Sequence, residues 1–289
     1  MDNALTMESC DKTEPIDILT DARHGTRKNA RQTDVICIGN KTKKVVSYKV
    51  ITCDDDRVAQ RHETIGTKRI YEELESKNVH IRKHAHDNNA SITKYVRENH
   101  TQTINQLDNW HALKQLEKSL KTIAQGPRRT KGIQWHPELE DKPHAVRTHA
   151  YYCLMNCDAD ADKLKAMLLN CVQHYKGVHT DCAIMSRCRR QENYEPRHQK
   201  LQDEVSIRLL TKAVEDSVIY KKADLFIYNM STAHVESFNN SLNVVHDKRI
   251  TFGMQAYKMR TALAVGYWND SKDVFTKAVW KYFVEQLNK

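Results

Sequence analysis

The stretch IDILTDARHGTRKNARQTDVICIGNKTKKVVSYKVITC, residues 16–53, decides the fold. IDILTD (16–21) reads as a strand ending on Asp21. DVICIG (34–39) is β-branched and apolar. KVVSYKVITC (44–53) follows the turn-like GNKTK, so these two runs read as a hairpin. Downstream, TKRIYEELESKN (67–78) has helical spacing, with Ile70, Tyr71 and Leu74 on one face and Thr67 as its cap. VHIRKHAHD (79–87) puts Val79, Ile81, Ala85 and Asp87 on one side at period two. ASITKYVREN (90–99) is helical, and TINQLD (103–108) is a short strand. HALKQLEKSLKTIA (111–124) is helical again, with Leu113, Leu116, Leu120 and Ile123 on one stripe. The order is three strands, then helix, strand, helix, strand, helix. Hairpin-linked antiparallel strands are followed by crossover-linked strands, which should be parallel and right-handed.

That order predicts an α/β fold with an RNase H-like mixed five-stranded sheet. In such a sheet the first and fourth strands are neighbours, and each ends here on an aspartate, Asp21 and Asp87. Phosphodiester chemistry needs two divalent cations roughly 3.5–4 Å apart. Mg²⁺ and Mn²⁺ prefer oxygen ligands, so such a site gathers carboxylates from distant positions. Taken singly, either aspartate reads as a turn residue or a helix cap, and Asp87 stands just before a helix. The pair at two neighbouring strand ends points to a metal site.

Residues 126–230 differ in texture. They are rich in His, Cys and Arg and mostly helical, as in ADKLKAMLLNCVQHY (161–175) and LQDEVSIRLLTKAVEDSVIY (201–220). The predicted organisation is a tail (1–15), a first core part (16–125), a helical insertion (126–230), a second core part (231–270) and a C-terminal helix (271–289). The second core part opens with a helix over 232–245, followed by amphipathic helices at about 253–268 and 272–287. Within the insertion, Cys153, His174, His179 and Cys182 form a candidate Zn²⁺ set, since zinc takes four thiolate or imidazole ligands, usually in closely spaced pairs. The rival reading is buried free thiols and surface histidines.

DARHGTRKNA (21–30) resembles the first-acid motif of Mutator-like DDE transposases, HDNNASITKYV (86–96) their second-acid motif, and HVESFNNSLN (234–243) their third-acid helix. QLDNWHALKQLEKSL (106–120) resembles the segment after the second acid. Its Asp108-x-x-His111 matches a Cys/Asp-x-x-His signature shared by several eukaryotic cut-and-paste superfamilies. The resemblance runs from about residue 16 to 268. It implies a catalytic domain that cuts and joins DNA at transposon ends, with Asp21, Asp87 and Glu236 as Mg²⁺ or Mn²⁺ ligands. It also implies a large helical insertion before the last acid, which fits the long gap between Asp87 and Glu236. Asn239 and Asn240 would orient Glu236 or touch a phosphate. Asp108 and His111 would position the scissile strand, or they mark a strand end and a helix start; both readings stay open.

A net charge of +9 fits a nucleic-acid partner. Arg23 and His24 follow the first acid. Lys114, Lys118 and Lys121 share a helix, Arg128, Arg129 and Lys131 follow it, and Arg249 lies after Glu236. Phosphate contacts of this kind give affinity more than sequence reading. The resemblance implies duplex DNA at transposon ends and further copies of the chain as partners. No run of about 18 apolar residues spans a membrane, and residues 1–17 lack a signal peptide's apolar stretch, so the protein is expected inside the cell, and the resemblance implies the nucleus. Two other readings remain: a decayed or domesticated transposase that binds DNA without cutting, and a zinc-stabilised interaction protein.

Overall fold

The computed structural model describes residues 1–9, 14–25, 31–126, 129, 135–245, 247, 250 and 252–270. Its strands are β1 (Ile16–His24), β2 (Gln32–Gly39), β3 (Val45–Thr52), β4 (Ile81–His86) and β5 (Ile104–Leu107). Its helices are α1 (Asp2–Glu8), α2 (Ala59–Ser76), α3 (Ala90–Asn99), α4 (Asn109–Gln125), α5 (Pro143–Asn156), α6 (Ala161–Lys176), α7 (Arg187–Arg190), α8 (Glu204–Glu215), α9 (Val218–Lys221), α10 (Ala233–Val245) and α11 (Met254–Asn269). The strands form one mixed sheet in the order β3-β2-β1-β4-β5. β2 is antiparallel to both β1 and β3, and β1 is parallel to β4. The chain divides into a sheet unit, Met1–Asn105 with Ser231–Lys289, and a helical unit, Gln106–Met230. The division falls inside β5. No described helix is long and apolar enough to cross a membrane.

Side chains alternate across a strand, so the sheet has two distinct faces. On one, Ile16 and Ile18 of β1 and Val35 and Cys37 of β2 join Ile70, Tyr71 and Leu74 of α2 and Ile92 and Val96 of α3 in an apolar core. α2 comes in very close at Gly66, where a Cβ would stand 2.4 Å from the Val35 side chain. The helix begins at Ala59, not at 67, and Thr67 is buried in mid-helix rather than capping it. Its first two turns, AQRHETI, are mostly polar, so hydrophobic periodicity does not reach them.

The other face carries a buried polar lock. Arg23 Nη1 donates to Asp34 Oδ2 at 3.2 Å, and its Nε and Nη2 donate to Asn243 Oδ1 at 3.1 and 2.9 Å. Tyr257 and Thr261 of α11 donate their hydroxyls to Asp34 at 2.6 and 3.2 Å. Burial pushes the Asp34 carboxyl pKa up, against the Tyr257 hydrogen bond and the Arg23 charge. The lock joins β1 and β2 to α10 and α11. It also corrects an expectation: Arg23 is 2% exposed and turned inward, so it is not a DNA contact. His24 is half-buried, with Nδ1 3.0 Å from Thr33 Oγ1. Asp34→Ala would leave the guanidinium buried without its anion and is expected to cost about 3–5 kcal/mol. Urea denaturation measures this; a loss below about 1 kcal/mol would mean the pair does not hold these elements.

The helical unit has its own core. Leu113, Leu116 and Leu120 of α4 pack with Val146 and Leu154 of α5, Leu164 and Leu168 of α6, and Leu210 and Val214 of α8. α4 therefore groups with the helices that follow it rather than with the sheet, which moves the boundary from 125 to 105. The helix expected over 201–220 is interrupted at Asp216–Ser217: Asp203 caps α8, and Ser217 caps α9 by accepting from Tyr220 N. The helix expected at 272–287 lies outside the described residues.

Candidate active site

The parallel ladder pairs Ile18 with His84 and Leu19 with Ala85. Two residues further along each strand path stand Asp21 and Asp87, at matching positions just past the ladder. β1 does not stop at Asp21, because its pairing with β2 continues to His24 opposite Thr33. Asp21 thus sits where β4 leaves the sheet, not at a strand end. Asp87 follows β4 directly and does not cap α3. That role belongs to Asn89, whose side chain accepts from Ser91 N at 3.0 Å and Ile92 N at 3.4 Å.

α10 runs along β1 in step with it. Asn239 Nδ2 donates to Asp21 Oδ2 at 2.8 Å, and Asn243, four residues on, takes Arg23. Two strand residues cover about 6.6 Å and four helix residues about 6 Å, so the two contacts stay in register. Glu236 is half-buried one turn before Asn239, on the same side of the helix. Asn239 holds Asp21 rather than Glu236 and is 8% exposed, so it is not a surface phosphate contact. Asn240 is exposed. Among the described residues, no set of three ligand atoms within 4.8 Å of one another combines Asp21, Asp87 and Glu236. The three acids do not close around a single point.

A fourth carboxylate, Glu63, stands with them, and sequence reasoning missed it. It lies on α2 one turn before Gly66, which packs against Val35 of β2. Asn89 Nδ2 donates to Glu63 Oε2 at 2.8 Å. Burial raises the Glu63 pKa, opposed by that hydrogen bond and reinforced by the Asp87 charge. Asp21 is pushed up to about 7, first by burial, then by the charges of Asp87 and Glu63. Neither Asp21 nor Glu63 pairs with a described Lys or Arg; Arg23, the nearest cation along β1, is committed to Asp34. Two buried acceptor atoms here, Glu63 Oε1 and Asn239 Oδ1, have no hydrogen-bond partner among the described residues. Buried acceptors normally find donors. Such acceptor oxygens, set beside carboxyl groups whose pKa values are raised, suit a divalent cation.

In the helical unit, Asp108 caps α4, accepting from His111 N at 2.7 Å, and its Oδ2 lies 2.7 Å from His111 Nδ1. That is the helix-start arrangement. Lys121 donates to Glu117 at 2.6 Å, and Arg147 donates to the same carboxylate at 2.9 Å. Lys114 lies over the Trp110 ring at 4.6 Å. Lys118 and Arg129 are exposed. Arg128, Lys131 and Arg249 lie outside the described residues.

The same unit holds a second candidate metal centre. The ligand atoms of His174, His179, Cys182 and Cys188 all lie within 4.8 Å of one another. Three of these residues belong to the expected zinc set; the fourth is Cys188, not Cys153. Cys153 is fully buried in the apolar core, with Sγ 3.3 Å from His149 Nε2, and burial pushes its thiol pKa far up. Comparison with protein-family models, with curated proteins and with solved structures returned no match.

Proposed function

We propose that the sheet unit is an RNase H-like nuclease core, similar to Mutator-like transposases, that cuts and joins DNA at transposon ends with Mg²⁺ or Mn²⁺. The observation that carries this reading is the buried acid group: Asp21 and Asp87 stand at matching positions past the β1–β4 ladder, and Asp21, its pKa pushed up to about 7, pairs with no described Lys or Arg. The strand order and the parallel β1–β4 pair support the RNase H-like assignment. Asp21, Asp87 and Glu236 are the ligands in this reading, with Glu63 as a further carboxylate beside them. A pair of divalent cations held there would activate the attacking oxygen and stabilise the leaving one. The chain's own part is to hold these oxygens still: Asn239 fixes one Asp21 oxygen, Asn89 fixes one from Glu63, and the Arg23–Asp34 lock fixes α10 against β1. A nuclear location and self-association follow from the transposase reading alone.

Metal-dependent nicking of a duplex by the parent protein, lost in Asp21→Asn, tests the reading. Salt-sensitive DNA binding without nicking in any divalent metal would favour a domesticated binding protein instead.

The α4 lysines give a separate test of DNA binding. Replacing Lys114, Lys118 and Lys121 together with Ala removes three positive charges, which would flatten the log–log salt dependence by up to about three units on duplex DNA. Lys121 is already paired with Glu117, and Lys114 is held over Trp110. The expected flattening is therefore about one to two units, with weaker binding at low salt. Equilibrium titrations at several salt concentrations measure it; an unchanged slope would remove α4 from the DNA surface.

A further inference from the structure

Residues 177–203, between α6 and α8, contain only the four-residue α7 as a regular helix or strand. From 177 to 200 only one side chain, Cys182, is buried. Ile184 and Met185 are 75% and 74% exposed. Long stretches without regular structure are uncommon inside compact units. This one buries too little apolar surface to offset the entropy of holding it in one shape. Something other than a hydrophobic core must order it.

The geometry supplies the answer. Cys182 Sγ lies 3.5 Å from His174 Nδ1 and 3.8 Å from His179 Nδ1. Two imidazole nitrogens converge on one sulfur, and a single thiol proton cannot serve both. Zinc bonds of about 2.0 Å to nitrogen and about 2.3 Å to sulfur, at tetrahedral angles, put N and S about 3.5–3.6 Å apart. The separation to His174 falls in that range and the one to His179 lies slightly above it. Cys188 Sγ completes the set within the same 4.8 Å span. Around it, Tyr194 packs edge-on to His179 at 5.4 Å, and Arg189 donates to the carbonyls of Thr180 and Cys182 at 2.9 and 3.1 Å. One ligand, His174, is on α6; His179 and Cys182 are in the irregular stretch, and Cys188 is on the short α7 within it.

We propose that His174, His179, Cys182 and Cys188 form a structural Zn²⁺ site that fastens residues 177–200 to α6. Two thiolates and two imidazoles fill the tetrahedron, so no position is left open for a substrate, and the ion's work is folding. The site stands independently of the sheet unit's chemistry: it can fail while Asp21 holds metal, or hold while Asp21 does not.

The test is metal content and thiol protection on the full chain. Protein purified without chelators should carry one Zn²⁺ per chain. Co²⁺ in its place should show the visible bands of a tetrahedral site and a thiolate charge-transfer band. Alkylation followed by mass spectrometry should find Cys182 and Cys188 protected with metal and reactive after chelation, with proteolytic cuts then appearing between 177 and 200. Cys188→Ser should weaken zinc binding by more than about 100-fold, since even outer partners of a metal site are worth 10–100-fold. Cys153→Ser should keep the ion. Absence of zinc after Zn²⁺ titration, equal alkylation of Cys182 and Cys188 with and without chelator, or zinc lost in Cys153→Ser but kept in Cys188→Ser would each overturn the assignment. The Co²⁺ spectrum and the alkylation pattern come from the parent protein, so a variant that fails to fold does not decide the matter.

Discussion

Asp21→Asn is expected to abolish Mg²⁺- or Mn²⁺-dependent cleavage of duplex DNA while leaving the protein folded and able to bind it. A metal ion at a reacting phosphate contributes several kcal/mol of transition-state stabilisation, and about 4 kcal/mol corresponds to about 10³ in rate. The loss should be at least of that order. The substitution is nearly isosteric, and it removes a charge that is buried beside Asp87 and Glu63. The metal-free variant should therefore melt no lower than the parent near pH 7.5. It should bind DNA without metal as well as the parent or better, because one negative charge near the phosphate is gone. Asp87→Asn should likewise abolish the cleavage. A variant that still nicks at a rate within tenfold of the parent would remove Asp21 from the chemistry. A variant that loses nicking only because it unfolds would be seen at once in its melting curve.

The second large effect is the pH dependence of metal stabilisation. Asp21 titrates near 7 in the folded chain, against an ordinary carboxyl value of 3.8. Between those two values the folded protein holds a proton that the unfolded chain has released. Asp21's contribution to stability without metal thus falls as pH rises from about 4 to about 7 and levels off above. Divalent metal must displace that proton, so its affinity runs the other way. With a pKa near 7, the ionised fraction rises about 30-fold from pH 5.5 to pH 8. Mn²⁺ at fixed concentration should raise the melting temperature little at pH 5.5 and markedly at pH 8. Asp21→Asn should flatten this profile. An equal metal-induced shift at both pH values, or one that persists in the variant, would mean that the ion binds elsewhere.

Much of the sheet unit is legible along the chain because its signals are local. The runs 16–21, 34–39 and 44–53 announce strands by composition and alternation, and the helix over 90–99 by its apolar stripe. Asp21 and Asp87 stand out because the strand order makes their strands neighbours. Glu63 does not, because α2's first turns carry no apolar stripe and its place beside Asp87 depends on how closely Gly66 lets the helix approach. Arg23 misleads for a related reason: a basic residue after an acid reads as a phosphate contact, yet alternation turns it to the face where Asp34 waits on β2. Cys188 lies too far along an irregular segment for spacing to pair it with His174. Cys153, expected as the fourth ligand, is instead buried in the core. In each case the missing information is tertiary: which face, how close, and across which loop.

The most direct test of the central claim is a crystal structure of the full chain soaked in Mn²⁺, with anomalous scattering to locate the ions. Our reading expects Mn²⁺ peaks bonded to carboxylate oxygens of Asp21 and Asp87, with Glu236 reaching the same ions. Saturating Mn²⁺ with no peak at Asp21 or Asp87 would contradict it.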